Sequence, residues 1–224
     1  MSLCLSEEGV LAVEVDYVAN ILKGIRYDSI YHEHLCYFTL KSLERLFIEF
    51  GLYIFDVGIS PINFGGLIVY AKKRKARESK KVKELRRVEA RKKVNQFSSW
   101  KKFAKRAYKH KEKLVNMLRE AEKKGVIVGY GASARSSTLL NFCGIDAKTI
   151  EVIADDNPIK QGLYTAGSHI SIKSSKEVFK LKPDCVLILA WNFADEIIEK
   201  LKQKFDYNGK CIIPLPNEPF VKNV

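Results

Sequence analysis

A phenol, a carboxylate and two imidazoles stand next to one another in the segment Tyr31-His32-Glu33-His34. Histidine takes up and releases a proton readily near neutral pH, because its unperturbed pKa is about 6.5. The chain has four histidines, and two of them lie in this segment. These residue types predict general acid–base chemistry. The alternative interpretation is a surface turn in which the histidines cap local backbone.

The residues on either side predict a first region of strands and one helix. The apolar run 9–15 is typical of a buried strand, and a polar stretch is expected to connect it to Tyr31. Thr39 has the residue type of a helix N-cap, and Gly51 that of a helix end. Leu43, Leu46, Phe47 and Phe50 form the apolar face of the helix between them. Two further strands are predicted over 52–57 and 67–71.

The positive charge of the chain is concentrated in one segment. Residues 72–124 hold 23 Lys/Arg against 6 Asp/Glu, a net charge of +17, whereas the rest of the chain holds 16 against 20, or −4. Apolar residues in this segment are spaced mostly by three, four or seven positions, which predicts two helices that break near 95–98. We interpret them as a connector that packs on the C-terminal lobe. The alternative is a basic patch that binds nucleic acid.

The C-terminal lobe opens with a strand that leads into Gly-x-Gly-x-x-Ala and a helix, over residues 125–140. A second strand ends in Asp155-Asp156, a third spans 184–190, and the last spans 210–214. This order predicts a small doubly wound sheet with ligands at the carboxyl ends of its strands, and Asp155 is spaced for a ribose contact. The alternative is that the glycines only allow close packing of strand and helix.

Several motifs, in the same order, resemble the deoxysugar C-methyltransferases. Residues 27–34, Tyr-Asp-Ser-Ile-Tyr-His-Glu-His, followed by Tyr37-Phe38, are similar to the signature of that family. The helix and hairpin over 43–71 resemble the end of a class I methyltransferase sheet. Four more motifs, which lie at 129–132, 138–141, 157–162 and 189–193, are similar to the family's C-terminal domain. The resemblance covers nearly the whole chain.

The resemblance implies an α/β fold in three parts. Residues 1–75 would form the C-terminal half of a methyltransferase domain that binds S-adenosylmethionine, 76–123 a basic helical connector, and 124–224 a Rossmann-like domain. Family members also have a zinc-binding N-terminal domain and a Gly-rich first half of the methyltransferase domain, which this sequence lacks. We expect that half to be encoded separately or upstream. The chain alone is then expected to bind no S-adenosylmethionine and to transfer no methyl group.

The reaction that the resemblance implies is methylation of C3 of a nucleotide-linked 4-keto deoxysugar. By motif position, His34 resembles the base that removes the C3 proton. Tyr31 and Glu33 resemble groups that orient the base or stabilise the enolate oxygen. The sequence departs from the family pattern at Arg135-Ser136-Ser137 and at Asn63-Phe64-Gly65-Gly66.

The C-terminal lobe is expected to bind the nucleotide-linked sugar and no dinucleotide. Arg135 offers a positive charge for a pyrophosphate near a helix start, where backbone N–H groups also favour anions. Trp191 and Tyr130 flank the expected crevice. The predicted substrate-binding residues are Gly129, Tyr130, Gly131, Arg135, Asp155, Trp191 and Asn192.

Two other functions remain open on the sequence alone. An NAD(P)-dependent oxidoreductase would use the Gly-Tyr-Gly-Ala-Ser-Ala turn, and this function would explain the position of Asp155. It would give no role to residues Tyr31 to His34. A basic nucleic-acid-binding module would use residues 72–124, although the apolar stripe of that segment makes nucleic acid a less favoured partner.

The sequence also predicts the cellular location of the protein. No apolar run reaches the roughly 18 residues of a membrane span, and the N-terminus does not read as a signal peptide. The five cysteines form no Cys-x-x-Cys pair, so we expect reduced thiols, no metal site and a cytoplasmic location.

Overall fold

A computed structural model describes residues 1–61 and 65–224, which form two compact units. The first unit comprises Met1–Lys23 and His34–Phe103, and the second comprises Gly24–Glu33 and Ala104–Val224. Relative to the predicted segments 1–75, 76–123 and 124–224, Gly24–Glu33 fall in the second unit, and the basic segment 76–123 is divided between the units after Phe103. Asn63 and Phe64, at which the sequence departs from the family pattern, lie outside the described residues.

The first unit is built on a three-stranded antiparallel sheet. Its strands are β1 (Leu11–Val15), β2 (Tyr53–Ile59) and β3 (Leu67–Lys72), in the order β1-β3-β2. Helix α1 (Val18–Gly24) follows β1, and α2 (Leu40–Glu49) precedes β2. All three strands were predicted, whereas the expected polar stretch after β1 contains α1. That expectation is wrong because the helix is short and its apolar residues are buried, namely Val18, Ala19 and Ile21.

Helix α2 begins and ends where its cap residues predict. Thr39 accepts a hydrogen bond from the backbone N–H of Ser42, and the Ser42 hydroxyl accepts one from the backbone N–H of Thr39. This capping box satisfies two N–H groups that the first helical turn leaves unpaired. Gly51 follows the helix with φ of +68°, a backbone conformation that glycine adopts without strain.

Two helices form the basic segment, as predicted: α3 (Lys80–Lys92) and α4 (Phe97–Glu122). The expectation that both pack on the C-terminal lobe is wrong for α3, because Val82 lies in the core of the first unit with Phe47. Glu89 of α3 is buried and accepts a hydrogen bond from Leu40 N at 2.6 Å. The apolar stripe of α3 predicts a packing surface, but its spacing does not say which surface.

The second unit has a six-stranded sheet in the order β6-β5-β4-β7-β8-β9. Its strands are β4 (Ile127–Tyr130), β5 (Ile153–Ala154), β6 (Ile172–Lys173), β7 (Cys185–Ile188), β8 (Lys210–Ile213) and β9 (Phe220–Asn223). The first five are parallel and β9 is antiparallel to β8. Helices α5 (Ala134–Cys143), α6 (Ser175–Val178) and α7 (Ala194–Phe205) connect them. The predicted α/β fold class is confirmed.

One strand of this sheet was not expected at the C-terminus. The segment 210–214 was predicted as the last strand, but β9 follows it and pairs along β8. The four residues of β9 are exposed, so they show neither the apolar run nor the alternation that marks a buried strand. None of the helices in the described part of the chain is long and apolar enough to cross a membrane.

Candidate functional site

The segment Tyr31 to His34 lies in an irregular stretch after a short 3-10 turn, Tyr27–Ser29. The side chains of Tyr31 and His34 are half-buried, and those of His32 and Glu33 are exposed. The rings of Tyr31 and His32 meet edge to face, with centroids 5.9 Å apart. The boundary between the two units falls between Glu33 and His34. Because these four side chains are exposed or half-buried, each is accessible to a ligand.

A carboxylate that the sequence analysis missed lies next to His34. Oδ2 of Asp16 is 3.7 Å from Nδ1 of His34, and both side chains are partly buried. Asp16 directly follows β1, so the strand fixes its position. A carboxylate on this side of the ring favours the proton on Nδ1 and directs the basic lone pair to Nε2. An acidic residue at the carboxyl end of a predicted strand was the signal that could have found it.

The glycines of the Gly-x-Gly-x-x-Ala turn are explained by packing within the second unit. A Cβ added at Gly131 would lie 2.5 Å from the Cβ of Ala190, and the residue has φ of +96°. A Cβ added at Gly129 would lie 2.7 Å from Cγ1 of Ile153. Both distances are shorter than real side chains allow, so each position needs glycine whether or not a ligand binds there.

The backbone donors of this turn are already used inside the protein. The N–H of Gly131 donates to the carbonyl of Ala154 at 2.8 Å, and the N–H of Ala132 donates to Oδ2 of Asp155 at 2.7 Å. The N–H of Ser133 donates to the hydroxyl of Ser136 at 2.5 Å. A phosphate at this turn would need the same N–H groups. The geometry therefore argues against the dinucleotide interpretation.

Asp155 is held by the same turn. Besides Ala132, its carboxylate accepts hydrogen bonds from Asn157 N at 2.9 Å and Lys160 Nζ at 3.1 Å, and the residue is buried. A carboxylate that binds ribose must present acceptor atoms to the ligand. Here the acceptors serve the loop after β5, so the spacing that suggested a ribose contact has a structural explanation.

Tyr130 belongs to a separate polar network. Its hydroxyl donates to Oδ2 of Asp156 at 2.8 Å and accepts from Nζ of Lys200 at 2.8 Å. Ser175 donates to the other carboxylate oxygen of Asp156 at 2.7 Å, and Lys200 also bonds to Asp156. Burial raises the pKa of Tyr130, so its hydroxyl stays protonated at neutral pH.

Arg135 and Trp191 are in contact within the second unit. The guanidinium of Arg135 lies 5.0 Å from the centre of the Trp191 ring. Both side chains bond to the carboxylate of Asp28, which the sequence analysis did not single out. Asn192 is exposed in the 3-10 turn Trp191–Phe193. The predicted ligand residues thus lie at the carboxyl ends of β4, β5 and β7, and their role in binding a substrate stays a prediction.

No group of three or more His, Cys, Asp or Glu side chains in the ranges 1–61 and 65–224 is placed to hold a metal ion. In α3, Arg86 is paired with Glu44 at 2.6 Å and with Glu78 at 2.9 Å. Part of the basic charge is therefore paired with carboxylates within the first unit.

Comparison with known proteins identifies the family. Residues 61–216 match the family described as the C-methyltransferase C-terminal domain. The chain is 34% identical over 224 residues to the C-methyltransferase NovU of Streptomyces niveus, an alignment that covers 99% of this chain and 53% of NovU. The chain therefore spans about half the length of this curated relative. The family match covers more than half of the chain, and the chain belongs to the C-methyltransferase family.

Proposed function

We propose that this chain is the C-terminal part of an enzyme that methylates C3 of a nucleotide-linked 4-keto deoxysugar with S-adenosylmethionine. Family membership supports the methyl transfer. The observation that carries the proposal is the pair His34–Asp16, a partly buried imidazole beside a carboxylate in the segment that resembles the family signature. Such a pair is suited to remove a proton from carbon next to a carbonyl group.

The chemistry assigned to this chain is proton removal. Nε2 of His34 takes the proton from C3, and the electron pair of the C–H bond moves into an enolate whose oxygen is at C4. Asp16 holds the ring and stabilises the imidazolium that forms. The hydroxyl of Tyr31 is proposed to donate a hydrogen bond to the enolate oxygen, and Glu33 to help orient the base. His32 has no assigned role.

When bound, the methyl donor would supply an electrophilic methyl group on a sulfonium. C3 of the enolate would form a bond to this methyl carbon while the methyl–sulfur bond breaks, and the donor would leave as a neutral thioether. In the first unit, the described residues contain no Gly-rich turn after a strand that would hold the adenosine and methionine parts of such a donor. We therefore place the donor-binding residues outside this chain.

This placement predicts the behaviour of the chain by itself. Isothermal titration of residues 1–224 with S-adenosylmethionine is expected to show no binding at micromolar to millimolar concentrations, and no methyl transfer should be measurable. Thermal stabilisation by a dTDP-linked 4-keto sugar, without stabilisation by NADH, would support the substrate class. Micromolar binding of S-adenosylmethionine to this chain would contradict the placement.

Asp16→Asn tests the pair that carries the proposal. In the complete enzyme we expect turnover to fall by at least about tenfold, because an amide stabilises the imidazolium poorly and can favour the wrong tautomer of His34. The matched control is Glu7→Gln, which removes an exposed carboxylate paired with Lys73 in the same unit. Equal turnover in the two variants would exclude Asp16 from the reaction.

A further inference from the structure

The segment Gly24–Glu33 belongs to the second unit because a short buried turn ties it there. The 3-10 turn Tyr27–Ser29 is almost completely buried, with exposed fractions of 4%, 1% and 0% for its three residues. The carbonyl of Gly24 accepts a hydrogen bond from Asn217 N at 2.8 Å. Residues 27–29 are thus part of the core of this unit, whereas Ile30, which directly precedes Tyr31, is exposed.

Asp28 is the charged residue at the centre of this turn. Its Oδ2 atom accepts hydrogen bonds from Nε of Arg135 at 3.1 Å and from Nε1 of Trp191 at 2.9 Å. A second guanidinium nitrogen of Arg135 lies 3.0 Å from the same oxygen. Arg135 stands in the first turn of α5, just after β4, and Trp191 follows β7. Asp28 therefore occupies the crevice between the carboxyl ends of two adjacent parallel strands, where a doubly wound sheet ordinarily binds its ligand.

Tyr27 makes a second attachment beside it. Its hydroxyl donates to Nδ1 of His110 at 3.1 Å, and Nε2 of His110 donates to the carbonyl of Pro214 at 2.6 Å. Burial lowers the pKa of His110, so the ring is neutral and can accept at one nitrogen and donate at the other. The Sγ atom of Cys143 lies 3.3 Å from the same hydroxyl. Tyr27 and Asp28 are thus held by polar partners on α4, on α5 and in the 3-10 turn Trp191–Phe193.

A buried ion pair is a poor source of stability, because removing two charges from water offsets most of their attraction. Its best-attested use is to specify one arrangement of the chain. Here the arrangement concerns Tyr31 and Glu33, which follow Asp28 by three and five residues. Because an extended residue spans at most about 3.6 Å, Tyr31 cannot move its Cα more than roughly 11 Å from that of Asp28.

We propose that Asp28, Arg135 and Trp191 are positioning residues, and that the Rossmann-like lobe uses its ligand crevice to hold the segment that carries Tyr31 and Glu33. In this role Arg135 binds Asp28, whereas the sequence analysis expected it to bind a pyrophosphate of the substrate. The inference rests on the proposed function, since it takes Tyr31 and Glu33 to act on the substrate.

The first test is structural and needs no activity. Amide hydrogen exchange of residues 29–33 is measured in the full chain for wild type, Asp28→Asn, Arg135→Gln and the double variant. We expect exchange there to become at least tenfold faster in each single variant, with the double variant no faster than either one. The matched control is Asp195→Asn, which breaks an exposed pair with Lys222 in the same unit and should leave residues 29–33 unchanged. The proposed attachment of the segment through Asp28 would be overturned if exchange of residues 29–33 is unchanged in Asp28→Asn and the two single variants have nearly additive effects on the free energy of unfolding.

The second test separates positioning from substrate binding in the complete enzyme. Positioning predicts that Asp28→Asn and Arg135→Gln each lower kcat at least tenfold, with KM for the nucleotide-linked sugar within about threefold of wild type. Pyrophosphate binding by Arg135 instead predicts a KM at least tenfold higher for Arg135→Gln with kcat almost unchanged, and this result would overturn the proposal. If the wild-type enzyme transfers no methyl group to any 4-keto sugar nucleotide, the proposed function fails. The exchange experiment still tests whether Asp28 and Arg135 hold the segment in place.

Discussion

Replacing His34 with alanine in the complete enzyme is expected to lower turnover by roughly 10²- to 10⁴-fold, the usual contribution of a positioned general base. The side chain is half-buried and lies 3.7 Å from Asp16, so its removal deletes the group that would accept the C3 proton. Binding of the nucleotide-linked sugar should change little, because the proposed base acts on the reacting carbon. The measurement is steady-state methyl transfer with radiolabelled donor at saturating substrate.

The matched control for this variant is His32→Ala. It removes the neighbouring imidazole, which is exposed and has no assigned role, so turnover should stay within about threefold of wild type. Exchange of the C3 proton with solvent deuterium, measured without the methyl donor, tests the step directly and should be lost in His34→Ala only. A loss of less than tenfold in turnover for His34→Ala would remove it from the role of base, and loss of exchange in both variants would assign the chemistry to the segment as a whole.

Local chemistry made much of the fold predictable. Thr39 and Gly51 mark the ends of α2 because capping and left-handed backbone depend on a few neighbouring residues. The strands other than β6 and β9 follow apolar runs, and the break between α3 and α4 follows from a change in apolar spacing. These features are encoded within about ten residues of where they occur.

Long-range pairing explains what the sequence did not reveal. Asp28 is separated from Arg135 by 107 residues and from Trp191 by 163, and nothing in the local pattern marks it as buried. Asp16 is recognised as part of the candidate site only because the fold brings His34 next to it. The packing of α3 on the first unit likewise depends on Val82 joining the core cluster of that unit, to which Phe47 also belongs. A local sequence pattern can indicate that a residue is paired or buried, but which residue it contacts is determined by the three-dimensional fold.

The Gly-x-Gly-x-x-Ala turn shows how one motif can have two physical causes. Glycine allows a phosphate to approach the backbone, and it equally allows another strand to approach. The sequence is the same in both cases, which is why the two interpretations stayed open. The short distances from an added Cβ at Gly131 to Ala190 and from one at Gly129 to Ile153 favour packing. If packing is the cause, replacing Gly131 should lower the stability of the second unit.

Gly131→Ala is expected to destabilise the second unit by about 2–5 kcal/mol. Roughly 1–2 kcal/mol comes from placing an L side chain at positive φ, and about 1–3 kcal/mol from overpacking against Ala190. Gly144→Ala is the matched control, because Gly144 also has positive φ, at +71°, but an added Cβ would meet nothing within 4 Å. It should cost only about 1–2 kcal/mol. The difference between the two variants isolates the contact with Ala190.

The unfolding measurement must report on the second unit alone, since two compact units need not unfold together. The chain has two tryptophans, so a Trp100→Phe background leaves Trp191 as the fluorescent probe in the second unit. Ala190→Gly should recover part of the stability lost in Gly131→Ala, because it removes the Cβ that the new methyl group would meet at 2.5 Å. If Gly131→Ala is as stable as Gly144→Ala, packing does not explain the glycine, and a ligand that needs the bare backbone becomes the better explanation.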